Sequence, residues 1–263
     1  MVPGSVAGGD LRAFVPTLLA TLLPLAGVGL LGWRVAELLV VYWIELWALL
    51  VVYAGAALFA RRAVVVEGRN LTLPGVSSET GRDEQRWSGE PRALRLPGPL
   101  PPIYPRNARL VAHSLVWGVG LLTVPVWAVD LGDAALATLS PPLAAVALAT
   151  VGSHALTVRR DYLATGRIET VSAHMVLEIP VRVVAFAFTY VSVALVVGGF
   201  CLLVVWEVLG AVGVTVGDDA VVLALVAVVV LGKLAIEWSR HAAAAADDPT
   251  GFATWFRPED PRE

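Results

Sequence analysis

The sequence predicts an all-α membrane protein, a polytopic bundle of about six transmembrane helices with its N-terminus and C-terminus in the cytoplasm. Three observations lead to this fold class: a high apolar content, a series of long apolar runs, and an uneven distribution of arginines between them. Of the 263 residues, 57% are hydrophobic, and the mean hydropathy is +0.73. Soluble domains contain about 45–50% apolar residues. The excess is typical of helices whose outer surface faces lipid.

Six apolar runs are long enough to cross the hydrocarbon core of a bilayer. Crossing takes about 20 residues at about 1.5 Å per residue. The segments must be helical because lipid offers no hydrogen-bond partners to the backbone. The predicted spans are 13–31, 35–60, 110–129, 142–158, 179–205 and 220–238.

Prolines and glycines modify these spans without ending them. Pro16 and Pro24 lie in the first span, where neighbouring helices can cover the carbonyls that a proline leaves free. Pro141 and Pro142 suit the first turn of the fourth span. The fifth span is long enough to tilt or bend near Gly198-Gly199.

The domain organisation predicted from these spans is a single transmembrane bundle over residues 1–246. The long segment 61–107 is rich in Arg, Gly, Pro and Ser, and this composition predicts an irregular cytoplasmic loop. Residues 247–263 are acidic and contain prolines, which predicts a mobile tail. The first apolar run is too long for the core of a signal peptide, so it is interpreted as a retained span.

The orientation follows from the basic residues near the span ends, which concentrate on the cytoplasmic side of membrane proteins. The segment from Arg61 to Arg109 holds nine arginines, whereas the links 130–141 and 207–219 contain neither Lys nor Arg. Only Arg34, in the first outer turn, disagrees with this alternation. The predicted location is the cell (plasma) membrane.

Ionisable side chains within or near apolar spans are the best candidates for a functional site, because they are costly in lipid and usually face the bundle interior. The predicted topology places all but one of them at the cytoplasmic leaflet, and Glu45 near the middle of the bilayer. We therefore expect a polar, partly hydrated pocket that opens to the cytoplasm, with Glu45 at its floor. The candidate binding residues are Glu45, His113, His154, Arg182, Lys233, Glu237 and His241.

Each candidate also has a purely structural interpretation. The basic side chains near span ends could extend to lipid phosphates. Lys233, Glu237 and His241 recur every four residues, so Glu237 could simply pair with a neighbour on its own helix face. Glu45 is too deep to reach the surface, so it must be protonated, paired or in contact with water.

Metal binding and catalysis have little support from motifs. His113, His154 and Glu45 are candidate metal ligands, but for the two histidines neutral hydrogen bonding between helices is preferred to metal ligation. Cys201 is the only cysteine, which excludes intrachain disulfides and cysteine-rich metal sites. The sequence contains no HExxH, P-loop or GxSxG motif, and no cofactor can be named.

Several short motifs, taken in their order along the chain, resemble an uncharacterised family of bacterial and archaeal multi-pass membrane proteins, the domain of unknown function 6498. They are Tyr42-Trp43-Ile44-Glu45, His113, Ser153-His154, Asp161-Tyr162-Leu163, Pro180-Val181-Arg182 and Lys233-xxx-Glu237-xxx-His241. The resemblance covers about Val35 to His241, with the arginine-rich loop as an insertion, and Glu237 stands where the family pattern suggests aspartate. It implies that the polar residues belong together, but it implies no activity.

Three functional hypotheses remain open. In the first, which leads, a polar pocket binds a proton, an ion, a metal, a lipid headgroup or a small solute, as in a transporter or carrier. The second is a membrane-embedded enzyme that acts on lipid or peptide, with or without a metal. The third is a structural or accessory subunit, with loop 61–107 docking a protein partner or anionic lipid. A net charge of −3 makes nucleic acid an unexpected partner.

Overall fold

The computed structural model describes residues 11–67, 69, 72–76, 92–95, 97–98, 100–128, 141–213, 217–246 and 248–260. The helices within these ranges are α1 (Leu11–Leu31), α2 (Val35–Ala57), α3 (Ala108–Ala128), α4 (Pro141–Val158), α5 (Ala173–Val193), α6 (Gly199–Ala211) and α7 (Asp218–Ala245). The described residues form no β-strand, and their extended pairings are two isolated bridges. The all-α class predicted from the sequence is confirmed.

Each predicted apolar run lies on a helix, but several helices extend beyond the predicted limits. A π-helical turn, Arg159–Leu163, continues α4, and another, Ala194–Gly198, joins α5 to α6. The fifth predicted span therefore lies on one continuous helix, Ala173–Ala211. This helix begins six residues before the predicted start at Ile179, because its first turns carry polar residues that a hydropathy criterion rejects.

Among the described residues, three helices are long and apolar enough to cross a membrane: Val35–Ala57, Pro141–Leu163 and Ala173–Ala211. Large apolar side chains on α6, among them Phe200 and Leu203, are exposed. Lipid-facing surfaces have this character, since an apolar side chain gains nothing by turning away from hydrocarbon. These helices indicate a membrane protein.

The chain divides into two compact units. Unit 1 comprises residues 1–40, 125–138 and 185–256, and unit 2 comprises residues 41–124, 139–184 and 257–263. Parts of the predicted outer links, at residues 129–140 and 214–216, lie outside the described residues. The prediction of a single bundle over residues 1–246 stays a prediction.

In unit 1, helix α1 packs against α7. The Phe14 ring meets the Trp238 ring edge to face, with centroids 5.0 Å apart. Tyr190 lies over Gly232 of α7, where a β-carbon would stand 2.1 Å from the tyrosine ring, and its hydroxyl donates to the Val228 carbonyl. Only glycine at position 232 permits this contact between the Tyr190 ring and the backbone of α7.

In unit 2, helices α2 and α3 are joined by hydrogen bonds to backbone carbonyls. The Trp43 indole N–H donates to the Leu122 carbonyl at 3.0 Å. Asn107, buried at the start of α3, donates through its Nδ2 to the carbonyls of Ala57 at 3.0 Å and Ala60 at 2.8 Å. Ala57 is the last residue of α2 and Ala60 lies in the turn that follows it, where backbone acceptors have no partner within the helix.

The arginine-rich loop, 61–107, is irregular in its described part, apart from a 3₁₀ turn at Pro105–Asn107. Several of its side chains are nevertheless buried: Val64, Val66, Arg69, Leu73, Val76 and Tyr104. The loop also pairs with the link between α4 and α5, through the N–H groups of Arg61 and Arg62, which donate to the carbonyls of Ile168 and Val171 at 3.1 Å each. The loop thus forms part of the core of unit 2.

Candidate functional site

A buried group of charged and polar side chains lies where this loop meets the first turns of α5. We call it the Glu178 cluster, and it consists of Arg69, His174, Glu178 and Arg182. The last three recur every four residues, so one face of α5 presents all of them. The side chains of Glu178 and Arg69 are 0% and 1% exposed, and that of Arg182 is 11% exposed.

The Glu178 carboxylate accepts from four donors. Its Oε1 contacts the Arg69 guanidinium and, at 2.7 Å, Nδ1 of His174. Its Oε2 contacts Nη2 of Arg182 at 3.2 Å and accepts the backbone N–H of Glu259 at 2.9 Å. A carboxyl group surrounded by donors is suited to its ionised, acceptor-only form. The cluster is therefore built around one buried negative charge.

His174 is held in one neutral form by its two neighbours. Its Nε2 lies 3.3 Å from the backbone nitrogen of Leu73, which can only donate, so Nε2 is the acceptor. The ring proton must then be on Nδ1, where it donates to Glu178. In this arrangement His174 links the loop to the carboxylate, and its basic nitrogen is already occupied.

Arg69 is the loop's contribution to the cluster. Its Nε donates to the Val65 carbonyl at 2.5 Å, and its Nη1 donates to the Glu259 carbonyl at 2.7 Å in addition to pairing with Glu178. Burial lowers the pKa of the Arg69 guanidinium, and the carboxylates of Glu178, Glu259 and Asp260 oppose that shift. Two of the carboxylates that favour the charged form of Arg69 therefore come from the C-terminal segment.

The C-terminal segment Arg257–Asp260 contacts the cluster at several points. The Arg257 carbonyl accepts from Nη1 of Arg182 at 3.2 Å, and the Asp260 carboxylate pairs with Arg62 at 3.1 Å. The tail was predicted to be mobile because it is acidic and contains prolines. These four residues have defined contacts in the structure, and the mobility of the tail stays a prediction.

A second loop contact involves His113, one of the predicted site residues. Its Nε2 lies 2.8 Å from the Pro74 carbonyl, an acceptor, and therefore donates to it. The next residue, Gly75, has φ +71°, and a β-carbon there would lie 2.9 Å from both His113 Nε2 and Trp117 Nε1. Residues 72–76 are thus tied to α3 by His113 and to α5 by His174.

The other predicted site residues of unit 2 lie elsewhere on its helices. Glu45 on α2 and His154 on α4 are each partly buried. Among the described residues, no group of three or more His, Cys, Asp or Glu side chains is arranged to hold a metal ion. Glu45, His113 and His154 therefore do not form such a group, and Arg182 is the predicted residue that the structure places in the Glu178 cluster.

In unit 1, three predicted residues lie along α7. Lys233 and Glu237 approach to 3.8 Å, as their spacing suggested, and Arg240 lies closer to the same carboxylate, at 3.1 Å. The His241 ring packs near Phe14, with centroids 5.5 Å apart. The common pocket proposed for all seven residues stays a prediction.

The sequence analysis did not single out Arg69, His174 or Glu178. His174 and Glu178 fell just before the predicted fifth span, and Arg69 was counted only as one of many loop arginines. The signal that identifies two of them is the pattern His174-xxx-Glu178-xxx-Arg182, which places three polar groups on one helix face. No local pattern identifies Arg69, because its contact with Glu178 spans 109 residues.

Comparison with known proteins gives one match. Residues 8–95 match a family model described as a family of unknown function, DUF6498. The match includes Tyr42-Trp43-Ile44-Glu45 but starts earlier than the predicted resemblance, and it continues through much of the loop, including Arg69. No curated protein and no solved structure matches the chain.

Proposed function

We propose that the chain is a multi-pass membrane protein with six spans and cytoplasmic termini, which binds an anionic group at the Glu178 cluster in the manner of a carrier or receptor. The observation that carries this proposal is the composition of the cluster. Two largely buried guanidiniums, Arg69 and Arg182, share a single carboxylate from the helices. Without the carboxylates of the tail, which lie near Arg69, such a site has one excess positive charge, and an external carboxylate or phosphate would neutralise it in their place.

The length of the continuous helix formed by α5, the π-helical turn and α6 supports a cytoplasmic position for the cluster. Its 39 residues, Ala173–Ala211, extend about 58 Å, which is about twice the thickness of the hydrocarbon core. The cluster occupies the first turns, directly after the link with Arg159, Arg160 and Arg167. Basic links favour the cytoplasmic side, and the apolar remainder of the helix is long enough to cross the bilayer.

The two other hypotheses have less support. An enzyme that uses His113 as a base would have to use Nδ1, because its Nε2 donates to the Pro74 carbonyl. An accessory subunit would dock partners through exposed loop arginines, and Arg61, Arg62, Arg92 and Arg95 are exposed, but the buried Arg69 is committed to the Glu178 cluster. Glu45 and the polar residues of α7 stay proposed as further parts of a pocket.

Thermal unfolding in the presence of anions tests the binding proposal. The Tm is measured in neutral detergent with added inorganic phosphate or succinate. It is also measured in nanodiscs of phosphatidylglycerol and of phosphatidylcholine, and a higher Tm in phosphatidylglycerol would identify a lipid headgroup as the ligand. A ligand at 100 times its Kd stabilises the folded state by about 2.7 kcal/mol, so we expect a raised Tm. Arg182→Gln should abolish the rise, and Arg160→Gln, whose side chain is 79% exposed, should keep it.

Two results would contradict the binding proposal. One is that no anion raises the Tm of the wild type or of the Glu259→Pro variant, whose tail lacks the N–H donor to Glu178. The other is a rise that Arg182→Gln leaves unchanged.

A further inference from the structure

We propose that the C-terminal segment Arg257–Asp260 is a built-in, exchangeable ligand of the Glu178 cluster, which competes with the anionic ligand for the same groups. The inference rests on the proposed function and adds two statements to it. The site recognises an extended acidic peptide, and the chain's own tail regulates access to it.

The contacts of the tail are those of a bound peptide. The backbone N–H of Glu259 donates to Glu178, and the backbone carbonyl of Glu259 accepts from Arg69. Both backbone groups of this residue are therefore hydrogen-bonded to the cluster. Two residues earlier, the Arg257 carbonyl accepts from Arg182. Fixed side chains that pair with successive backbone groups recognise an extended segment largely independently of its side chains.

One side-chain contact of the segment is a charged pair at Asp260, its acidic end. The Asp260 carboxylate pairs with Arg62 at 3.1 Å, and the Arg62 side chain is 44% exposed while that of Asp260 is 8% exposed. The preference for an acidic residue next to the backbone contact therefore comes from a loop arginine. A neutral peptide would keep the backbone contacts and lose this one.

Charge balance explains why the site needs an occupant. With His174 neutral, the cluster without the tail holds one more positive than negative charge. An unbalanced buried charge is strongly unfavourable. The carboxylates of Glu259 and Asp260 lie close enough to stabilise the charged form of Arg69. An external anion can supply the same charge only where the tail has left.

The tail is held to the cluster by polar contacts, and its pair at Asp260 includes the half-exposed Arg62. Pairs with one exposed member are weak and are screened by salt. The apparent affinity for an external ligand is then the intrinsic affinity multiplied by the fraction of protein whose tail is released. Any change that weakens tail docking without altering the cluster should strengthen external binding.

A pair of full-length variants isolates the decisive contact. Glu259→Pro removes the backbone N–H that donates to Glu178, and Glu259→Ala makes the same charge change but keeps the N–H. The probe is a fluorescein-labelled, N-acetylated peptide with the sequence of residues 257–263, Arg-Pro-Glu-Asp-Pro-Arg-Glu. Fluorescence anisotropy in detergent measures its Kd, and a peptide with N-methylated glutamate at the position of Glu259 is the ligand control.

The expected result is a Kd for the peptide at least about tenfold lower with Glu259→Pro than with Glu259→Ala, and no binding of the N-methylated peptide. Should Glu259→Pro fail to fold, Asp260→Asn replaces it, compared with wild type, because it weakens the tail at Arg62 and leaves the cluster intact. In that comparison the Kd should fall about threefold.

The outcomes separate the two proposals. In one outcome, phosphate or succinate raises the Tm equally in both Glu259 variants and the peptide binds neither of them. The tail then has only a structural role, so the inference is overturned while the proposed function stands. If neither the anions nor the peptide binds any form of the protein, both fall. Tighter peptide binding by Glu259→Pro supports both.

Discussion

The backbone N–H of Glu259 donates a hydrogen bond to the carboxylate of Glu178 at 2.9 Å, across 81 residues of sequence. This bond places the end of the chain in the charged core of unit 2. It also completes a carboxylate whose other donors are two arginines and a histidine. The cluster is thus assembled from a helix, a loop and the tail.

Loss of the central carboxylate should severely destabilise unit 2. Glu178→Gln removes the carboxylate that the buried Arg69 and Arg182 share, and removing one member of a buried ion pair costs about 3–5 kcal/mol. Thermal unfolding in detergent should show a large fall in Tm. The matched control is Glu169→Gln, which breaks the pair with Arg61 in which both side chains are more than 60% exposed. The control should change stability by less than about 1 kcal/mol, and equal effects of the two changes would contradict a buried role for Glu178.

The turn at Gly75 should not tolerate a side chain. Its φ of +71° is unfavourable for other residues, and a β-carbon would press on His113 and Trp117. Gly75→Ala is expected to cost about 1–3 kcal/mol. Gly152→Ala, on α4 with nothing within 4 Å of the added carbon, should be neutral or slightly stabilising. The free energies of unfolding of the two variants in a denaturant titration test this, and a tolerated alanine at 75 would show that the turn is not fixed by these contacts.

Asn107 should contribute to stability through its two hydrogen bonds to the end of α2. Asn107→Ala leaves the carbonyls of Ala57 and Ala60 without this buried donor, at a cost of about 1–3 kcal/mol. Thr123→Ala on the same helix removes an exposed hydroxyl that bonds only its own helix backbone, and serves as the control. Chemical unfolding should give a clearly lower free energy of unfolding for Asn107→Ala than for Thr123→Ala. The reverse order would contradict the proposed capping.

The six-span topology predicts opposite labelling at two exposed positions. In a Cys201→Ser background, single cysteines are placed at Leu94 in the loop and at Val212 after α6, both exposed. A membrane-impermeant maleimide should label the cysteine at 212 in intact cells, and the one at 94 only after lysis. Identical labelling of both positions in intact cells would rule out the proposed orientation.

The sequence was sufficient for the helices but not for the cluster. Hydropathy located all six helical runs, because lipid and core both demand long apolar helices. It misjudged the start of α5, since His174 and Glu178 look like link residues until their partners are known. Those partners, Arg69 and the backbone of Glu259, are remote in sequence, so no spacing rule could reveal them.

The predicted site residues show the same limit. Lys233 and Glu237 are paired as their spacing suggested, because an i, i+4 relation is local. His113, in contrast, donates to the carbonyl of Pro74, a contact that depends on how the loop returns to α3. Every residue has a backbone carbonyl, so the sequence does not show which carbonyl a histidine will bond. A histidine that donates to a carbonyl therefore cannot be distinguished by sequence from a catalytic or metal-binding histidine.

The most direct test of the account is the stoichiometry of anion binding. Equilibrium dialysis of radiolabelled succinate against the detergent-solubilised Glu259→Pro variant should show saturable binding of about one molecule per chain, as expected for one site at the Glu178 cluster. Adding Arg182→Gln to that variant should abolish the binding, and adding Arg160→Gln should preserve it. Binding that never saturates, or that survives Arg182→Gln, would contradict an anion site at the Glu178 cluster.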